Sequence, residues 1–387
     1  MEWFDAYRYD DVTLGFIEVI RKMGKDMHEE ILECDKNASF PTKMVQEMAK
    51  IFLFGCSIPK RYGGAGCSMR QLSVIARELA YISGGLHLIW TANSSLAAFP
   101  IIYAGTRAQK KKYLPRIASG DIFGCFMLTE PGAGSDAASL ETRATKKDGG
   151  WVLKGEKRFI TNALLASVGI VFARTGEGKH DISAFIVDLQ EAKQSGSLVV
   201  KKTEKRSLKS SDFCSVFFDN VSMLEDSLLG GIHKGFSIAM ATLDNGRINI
   251  AAQAIGMAAS IFDEALEEAK DREQFGKKIW ENQALQFSFA AWYAELLSSW
   301  AAIDEASRIA MRMKKAGKRI TIPASVTKLV ATERALDVAV RACRVFGGSC
   351  ITNDLTAVER TIGILNSTLY EGSSEMQKTV LARFLSE

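Results

Sequence analysis

A glycine-rich segment near the middle of the chain has residue types and spacing that could hold a phosphate-containing ligand. Gly132-Ala-Gly-Ser-Asp-Ala137 fits the letters of the dinucleotide fingerprint G-x-G-x-x-A, in which a tight strand-to-helix turn places a pyrophosphate on the helix N-terminus. Pro131 precedes this segment, and Asp148-Gly-Gly and a strand-like stretch follow soon after it. No crossover helix fits there, so the sequence argues against a Rossmann unit. A ligand-binding loop and a plain turn remain as alternatives.

Glu371 is one candidate for acid–base chemistry. It lies in Tyr370-Glu-Gly-Ser-Ser374, where Gly372 would permit an unusual backbone angle. A carboxyl group enclosed in a dry pocket has its pKa raised toward neutrality, which suits a general base. The alternative interpretation is a solvated loop glutamate.

A long predicted helix carries further candidate residues. Gly246 lies inside this helix, where glycine costs about 1 kcal/mol relative to alanine, and it therefore indicates room for a close neighbour. Arg272, in Arg-Glu-Gln-Phe-Gly276, could form paired hydrogen bonds to phosphate oxygens, although an arginine followed by glycine is also a common helix end. Asp244 and Arg247 could equally form a surface ion pair.

Three parts of the chain differ in the pattern of their apolar residues. Up to about residue 120, apolar residues at three- and four-residue spacings predict amphipathic helices, and residues 84–104 predict a buried helix. From about 121 to 230, short segments rich in β-branched and aromatic residues alternate with turns, which favours an antiparallel barrel or sandwich. From 231 to the end, helices predicted over 236–269, 283–315, 324–345 and 374–385 favour an antiparallel bundle.

The composition excludes several classes of function. Apolar content of 47% and charged content of 24% are those of an ordinary soluble protein, and a net charge of +4 does not suggest nucleic-acid binding. The seven cysteines and four histidines are scattered, so neither a disulfide framework nor a metal site is expected. No secretory signal or membrane span is predicted. We expect a cytoplasmic location, or the mitochondrial matrix if the chain is a mature form without its transit peptide.

Taken together, these blocks resemble the acyl-CoA dehydrogenase family in residue type and in order along nearly the whole chain. The resemblance implies an α+β multidomain fold: an N-terminal α-helical domain (1–120), a middle antiparallel β-barrel (121–230) and a C-terminal four-helix bundle (231–387). The chain resembles the short- and medium-chain branch, whose catalytic glutamate lies near the C-terminus. In the isovaleryl-CoA and long-chain branches the base stands at the position of Gly246, so the resemblance assigns this role to Glu371.

The resemblance also implies FAD as the cofactor and a set of ligand contacts. The expected FAD contacts are Phe126, Leu128, Thr129, Gly134, Ser135, Phe159, Ile160, Thr161, Arg272, Gln274, Phe275, Gln283, Arg344, Gly347, Gly348, Ser373 and Ser374. The expected acyl-CoA contacts are Ser135, Asp244, Arg247, Tyr370 and Gly372, with no metal.

Several residues depart from the family pattern. Phe159 stands where most members have Trp, Arg344 replaces a Gln, and Ser373 replaces a Thr. The Arg-Asp pair that usually precedes Tyr370 is absent. His87 stands where the dicarboxylic branch has an Arg, which disfavours a glutaryl-type substrate.

The implied reaction is oxidation of an acyl-CoA to a trans-2-enoyl-CoA. Glu371 would remove the α-proton, FAD would take the β-hydride, and electrons would pass to an electron-transfer flavoprotein. The resemblance further implies a homotetramer with flavin shared between subunits. The alternatives are an acyl-CoA oxidase that uses O₂ and a flavin-binding assembly protein without turnover. An intact Glu371 argues against the latter.

Overall fold

The N-terminal part of the computed structural model is helical, and the model describes residues 4, 7–352 and 355–386. The helices are α1 (Asp11–Asp26), α2 (His28–Asn37), α3 (Thr42–Lys50), α4 (Met69–Ile82), α5 (Gly84–Thr91), α6 (Ala98–Ala104) and α7 (Arg107–Ser119). A π-helical turn over Ala92–Ala97 joins α5 to α6. The segment from 84 to 104 is therefore nearly continuous and mostly buried, as its apolar composition predicts.

The middle part is one sheet with a short helix, α8 (Leu189–Gln194), on its edge. Its strands are β1 (Gly124–Met127), β2 (Arg143–Lys147), β3 (Gly150–Ile160), β4 (Val168–Arg174), β5 (Ile182–Asp188), β6 (Leu198–Lys202), β7 (Cys214–Leu224) and β8 (Leu228–Leu229). The strand order is β6-β7-β3-β2-β4-β5-β8, and β1 also pairs with β4. The predicted turn at Asp148-Gly149 joins β2 to β3, with φ values of 48° and 77°, which suits a tight hairpin.

The sheet is antiparallel at most pairings, as predicted, but two strands pair with one edge of β4 in parallel. Both β1 and β2 run parallel to β4 along the same edge. A parallel pairing needs a long connection, and the β2–β3 hairpin lies within the connection from β1 to β4. Local turn signals could not reveal this pairing because they report only on neighbouring strands.

The C-terminal part is again helical. It contains α9 (Gly235–Asp271), α10 (Gln283–Lys315), α11 (Thr321–Cys343), α12 (Ala357–Ser367) and α13 (Ser374–Ser386), and a two-stranded hairpin of β9 (Glu273–Gln274) and β10 (Lys277–Lys278). The four predicted helices are confirmed, and α12 was not predicted. Val358, Thr361, Ile362 and Gly363 have low intrinsic helix propensity. The helix forms because Ala357 and Ile364 pack into the core against α9 and α11.

The two helical parts share one hydrophobic core, in which α9 packs against α4 and α11. A second core joins α6 and α7 to β4 and β5, and a third lies within the sheet. Within the described ranges, no helix has the length and apolar character needed to cross a bilayer.

Candidate active site

Glu371 lies in the turn between α12 and α13 in a left-handed backbone conformation. Its φ is +53°, and that of Gly372 is +91°, as Gly372 in this motif predicts. For a residue other than glycine this conformation costs about 1–2 kcal/mol, so neighbouring groups must hold the turn. Arg247 Nε donates to the Glu371 carbonyl oxygen at 3.4 Å. Gln377 Nε2, at 2.7 Å, and Lys328 Nζ both donate to the Gly372 carbonyl oxygen.

The Glu371 carboxyl group lies against the backbone of α9 at Gly246. A Cβ atom added at Gly246 would come within 2.7 Å of Glu371 Cδ, so a larger residue at 246 would displace the carboxyl group. The glycine inside a helix is thereby explained, because the close neighbour that it accommodates is Glu371. Oε2 of Glu371 is buried and has no hydrogen-bond partner in the described part of the chain.

Burial dominates the electrostatics of this carboxyl group. It raises the pKa of Glu371 to about 7, although Lys328 and Arg247 act in the opposite direction. Burial also lowers the pKa of Lys328 to about 8, and the Glu371 charge opposes that change. A carboxyl group that titrates near neutrality can both accept and return a proton at physiological pH. The alternative of a solvated loop glutamate is therefore wrong.

Asp244 and Arg247 form a buried ion pair behind the turn. Arg247 Nη1 donates to Asp244 Oδ1 at 2.9 Å, and the two residues are 6% and 2% exposed, respectively. The other carboxylate oxygen of Asp244 accepts from Arg319 at 2.6 Å and from Thr321 at 2.7 Å. The surface-pair alternative is wrong because the pair is buried. Both residues brace the Glu371 turn, and their contact with a substrate stays a prediction.

Tyr370 connects this turn to two helices. Its hydroxyl donates to Gln253 Oε1 at 2.6 Å, and Gln253 Nε2 donates to the Gly84 carbonyl oxygen at 3.3 Å. The turn, α9 and the start of α5 are therefore joined by one chain of hydrogen bonds.

Two groups of predicted FAD contacts in the middle part, at residues 126–129 and 159–161, lie side by side. The Arg158 N–H donates to the Thr129 carbonyl oxygen at 2.9 Å, which brings the end of β1 to the end of β3. Phe159 has φ +65° and is 46% exposed, and its ring stacks on Phe213 at 5.0 Å. An exposed aromatic ring on a strained strand end is a suitable wall for a planar ligand.

The neighbouring predicted contacts differ in exposure. Phe126, Thr129 and Thr161 are half-buried, and the side chains of Leu128 and Ile160 lie in hydrophobic cores. A contact from Ile160 to a ligand would therefore use its backbone. Asn162 Nδ2 donates to the Ile89 carbonyl oxygen at 3.0 Å, so this strand end also touches α5.

The glycine-rich loop is held by hydrogen bonds at its base, and its glycines are exposed. Glu130 and Ala133 exchange backbone hydrogen bonds at 3.1 and 3.2 Å. The buried Lys157 donates to Glu130 Oε1 at 2.6 Å. A Cβ at Gly132 or Gly134 would meet no atom of the described residues within 4 Å, so packing within the chain does not require these glycines. Ser135 is also exposed, and the loop can be approached closely by a ligand.

The Rossmann interpretation is excluded, as the sequence predicts. In residues 124–160, all of which the structure describes, only a single 3₁₀ turn (Ala137–Ser139) separates the loop from β2. The helix that would carry a pyrophosphate on its N-terminus does not form.

Seven of the remaining predicted FAD contacts lie in a separate place, at the far end of α9. Arg272 Nη1 donates to the Val345 carbonyl oxygen at 3.3 Å. Gly347, with φ +58°, lies against the same guanidinium group, since a Cβ there would come within 3.1 Å of Nη1. Phe275 is fully exposed at the tip of the β9–β10 hairpin. The other members of this group are also exposed: Gln274, Gln283, Arg344 and Gly348.

Ser373 and Ser374 begin α13. The Met376 N–H donates to Ser373 Oγ at 3.3 Å, and the buried Ser374 hydroxyl donates to Glu333. These hydroxyls secure the start of α13, and their contact with FAD stays a prediction.

The sequence did not reveal several residues that hold the site. Lys328, Gln253 and Gln377 support the Glu371 turn, and Lys157 pins the loop. Each is a fully buried polar residue. The only signal in the sequence is a polar residue within an apolar face, and that signal does not identify its partner. The structure brings no three metal-ligating side chains together among the residues it describes.

Known proteins match the chain over nearly its whole length. Three family models match, described as the acyl-CoA dehydrogenase N-terminal domain (residues 16–121), middle domain (125–221) and C-terminal domain (233–386). An acyl-CoA dehydrogenase from Bacillus subtilis is 38% identical over 377 residues, covering 95% of this chain and 97% of that protein.

Two further similarities concern a reductase complex and a solved structure. The caffeyl-CoA reductase-Etf complex subunit CarC from Acetobacterium woodii is 35% identical, covering 95% of this chain and 97% of that protein. Butyryl-CoA dehydrogenase from Megasphaera elsdenii superposes with a TM-score of 0.93 at 31% identity, covering 98% of this chain and 100% of that one.

Proposed function

We propose that this chain, which belongs to the acyl-CoA dehydrogenase family, oxidises a short acyl-CoA to the trans-2-enoyl-CoA with Glu371 as the base. The protein is a flavin-dependent oxidoreductase whose cofactor is FAD. The observation that carries the proposed reaction is the Glu371 carboxyl group, which has a buried oxygen without a partner in the described chain and a pKa of about 7.

Glu371 takes the proton from the α-carbon of the thioester. Its backbone N–H is proposed to donate to the thioester oxygen and to stabilise the negative charge that develops there. When bound, FAD supplies the two-electron acceptor for the hydride that leaves the β-carbon. Loss of a proton from one carbon and of a hydride from the next leaves the new double bond. Arg247, Lys328 and Gln377 hold the Glu371 turn in place throughout.

The residues of the middle part fit a flavin. The Phe159 ring is exposed beside Thr129, and the loop at Gly132 and Gly134 is open to close approach. We propose that this surface holds the ring system of FAD and that the glycine loop lies along the cofactor and the thioester.

A second copy of the chain is proposed to complete the cofactor site. The predicted pyrophosphate-binding group around Arg272 and Gly347 lies at the other end of α9 from the Glu371 turn. Phe275 and Ile351 are exposed there, at 101% and 88%. A groove of about 550 Å³ is lined by Phe287, Arg344 and Val345, among others, and the Val345 carbonyl oxygen accepts from Arg272. These exposed groups support a homotetramer in which FAD is shared between subunits.

An electron-transfer flavoprotein is the proposed electron acceptor. The similarity to a reductase-Etf complex subunit supports this partner. That relative also suggests a second candidate function, reduction of an enoyl-CoA, in which protonated Glu371 would return a proton to the α-carbon. The seven free cysteines support a reducing compartment, so a cytoplasmic or mitochondrial matrix location is part of the proposal.

The test is anaerobic mixing of the purified FAD-containing protein with a panel of acyl-CoAs from C4 to C16. Bleaching of the flavin absorbance by at least one short acyl-CoA, with formation of the enoyl-CoA, supports the proposal. A flavin that stays oxidised with every thioester in the panel contradicts it. Rapid reoxidation by O₂ in a parallel assay would instead identify an oxidase.

A further inference from the structure

The face of α9 beside Glu371 carries a buried amide, that of Asn249, whose oxygen has no partner among the described residues. Residues three and four apart share a helix face, so Gly246, Asn249 and Gln253 lie on one stripe. Gly246 contacts the Glu371 carboxyl group, and Gln253 binds the Tyr370 hydroxyl. Asn249 therefore lies between the two contacts that define the site.

Helix α5 presents a matching stripe to α9. Gly84, His87 and Thr91 share a face by the same spacing, and α5 packs on α9. The Gly84 carbonyl oxygen accepts from Gln253. The segment ends at Ala104, which lies near the start of α9, because a Cβ at Gly230 would come within 2.9 Å of Ala104 and 2.8 Å of Ile238.

The segment 84–104 therefore runs antiparallel to α9. Moving from Gly84 to Thr91 along α5 corresponds to moving from Gln253 back toward Asn249 along α9. By this register, the α5 positions of His87 and Thr91 correspond to positions of α9 close to Asn249.

Four atoms of these three side chains have no hydrogen-bond partner among the residues that the structure describes. They are His87 Nδ1 and Nε2, Thr91 Oγ1 and Asn249 Oδ1, and none of them is paired within the described part of the chain. The residues are 0%, 2% and 2% exposed, respectively. Buried polar groups in proteins are nearly always hydrogen-bonded, so the cluster points to a ligand that supplies the missing partners.

The chemistry of the cluster is neutral. Burial lowers the pKa of His87 to about 3, so its imidazole carries no charge at physiological pH. A neutral imidazole, a hydroxyl and an amide each offer a donor and an acceptor. A buried carboxylate would need a cation, which these three side chains do not supply.

We propose that His87, Thr91 and Asn249 form the polar end of the acyl pocket and bind a hydroxyl group on a short acyl chain. The inference rests on the proposed function and adds the substrate class to it. Asn249 lies about 5 Å along α9 from Gly246, given a rise of 1.5 Å per residue. A hydroxyl oxygen on the fourth carbon of the acyl group lies three bonds beyond the α-carbon at Glu371, so an amide at that distance can bind it.

The test compares butyryl-CoA with 4-hydroxybutyryl-CoA on the FAD-containing protein under anaerobic conditions. The expected result is a kcat/KM about tenfold higher for the hydroxylated thioester, because a site with unpaired polar groups favours the substrate that pairs them. Thr91→Val and Asn249→Leu should each remove this preference, and Thr91→Ser should retain it. Thr332→Val is the matched control, since Thr332 is a buried helical threonine whose hydroxyl donates to the Lys328 carbonyl oxygen at 2.8 Å.

The outcomes separate this inference from the proposed function. Equal kcat/KM for the two thioesters in the unmodified protein, with bleaching by both, overturns the inference and leaves the function intact. Ordered water alone would then satisfy the cluster. A preference that survives in both Thr91→Val and Asn249→Leu overturns the assignment to these residues. If neither of the two thioesters nor any member of the wider panel bleaches the flavin, the proposed function itself is contradicted.

Discussion

The carboxyl group of Glu371 and the Cα atom of Gly246 are in direct contact, although 125 positions separate them (371 − 246). The base reaches this position only because α9 lacks a side chain at that point. Gly246 and Glu371 are therefore one functional unit, formed by the N-terminal part of α9 and the turn between α12 and α13.

Gly246→Ala should reduce turnover by about 100-fold, because a displacement of the base on the order of 1 Å has an effect of that size. FAD content should stay unchanged, since Gly246 is not among the residues that are proposed to hold FAD. The measurement is the rate of anaerobic bleaching by butyryl-CoA. Gly15→Ala in α1 is the control, because a Cβ at Gly15 meets no described atom within 4 Å. Full activity in Gly246→Ala would contradict the contact.

Lys328→Met should move the acid limb of the kcat/KM profile to higher pH. The base acts when it is ionised, so activity rises with pH through the Glu371 pKa of about 7. The Lys328 ammonium group opposes the effect of burial on that pKa, and its removal should raise the pKa further. Lys270→Met, at an exposed position of α9, should leave the limb in place. An unshifted limb in Lys328→Met would show that the ammonium group does not act on the base.

Glu371→Gln should stabilise the folded protein at pH 8 more than at pH 5. The pKa of Glu371 is raised from 4.5 to about 7 on folding, so its contribution to stability is fully present below pH 4.5 and is lost as the pH rises through 7. The neutral amide avoids this loss, which is about 1–3 kcal/mol after allowance for solvent screening. Thermal unfolding of both proteins across this pH range measures the difference. A destabilised variant at pH 8 would contradict the pKa assignment.

The sequence predicts the positions that depend on local signals. The catalytic candidate, the glycine within α9 and the loop at Gly132 follow from residue types within a few positions of one another. The contacts that hold these residues in place do not follow from such local signals. Lys328 binds the Gly372 carbonyl oxygen across 44 positions, and Gln253 binds Tyr370 across 117. Tertiary packing selects these partners, and it also makes α12 a helix despite its low propensity.

Arg272→Ala should weaken FAD retention by about tenfold or more, because charge-assisted hydrogen bonds from arginine to phosphate are strong. The measurement is the ratio of flavin to protein after dilution and gel filtration. Arg308→Ala is the control, because Arg308 is an exposed arginine that pairs with Asp304 on α10. Full cofactor occupancy after dilution of Arg272→Ala would remove Arg272 from the cofactor site.

The most direct test of the central claim is anaerobic mixing of Glu371→Gln with butyryl-CoA. We expect the variant to keep its FAD spectrum and to bind the thioester, while bleaching slows by about 10⁴-fold, the upper range for loss of a general base. Bleaching at the rate of the unmodified protein would contradict the assignment of Glu371 as the base.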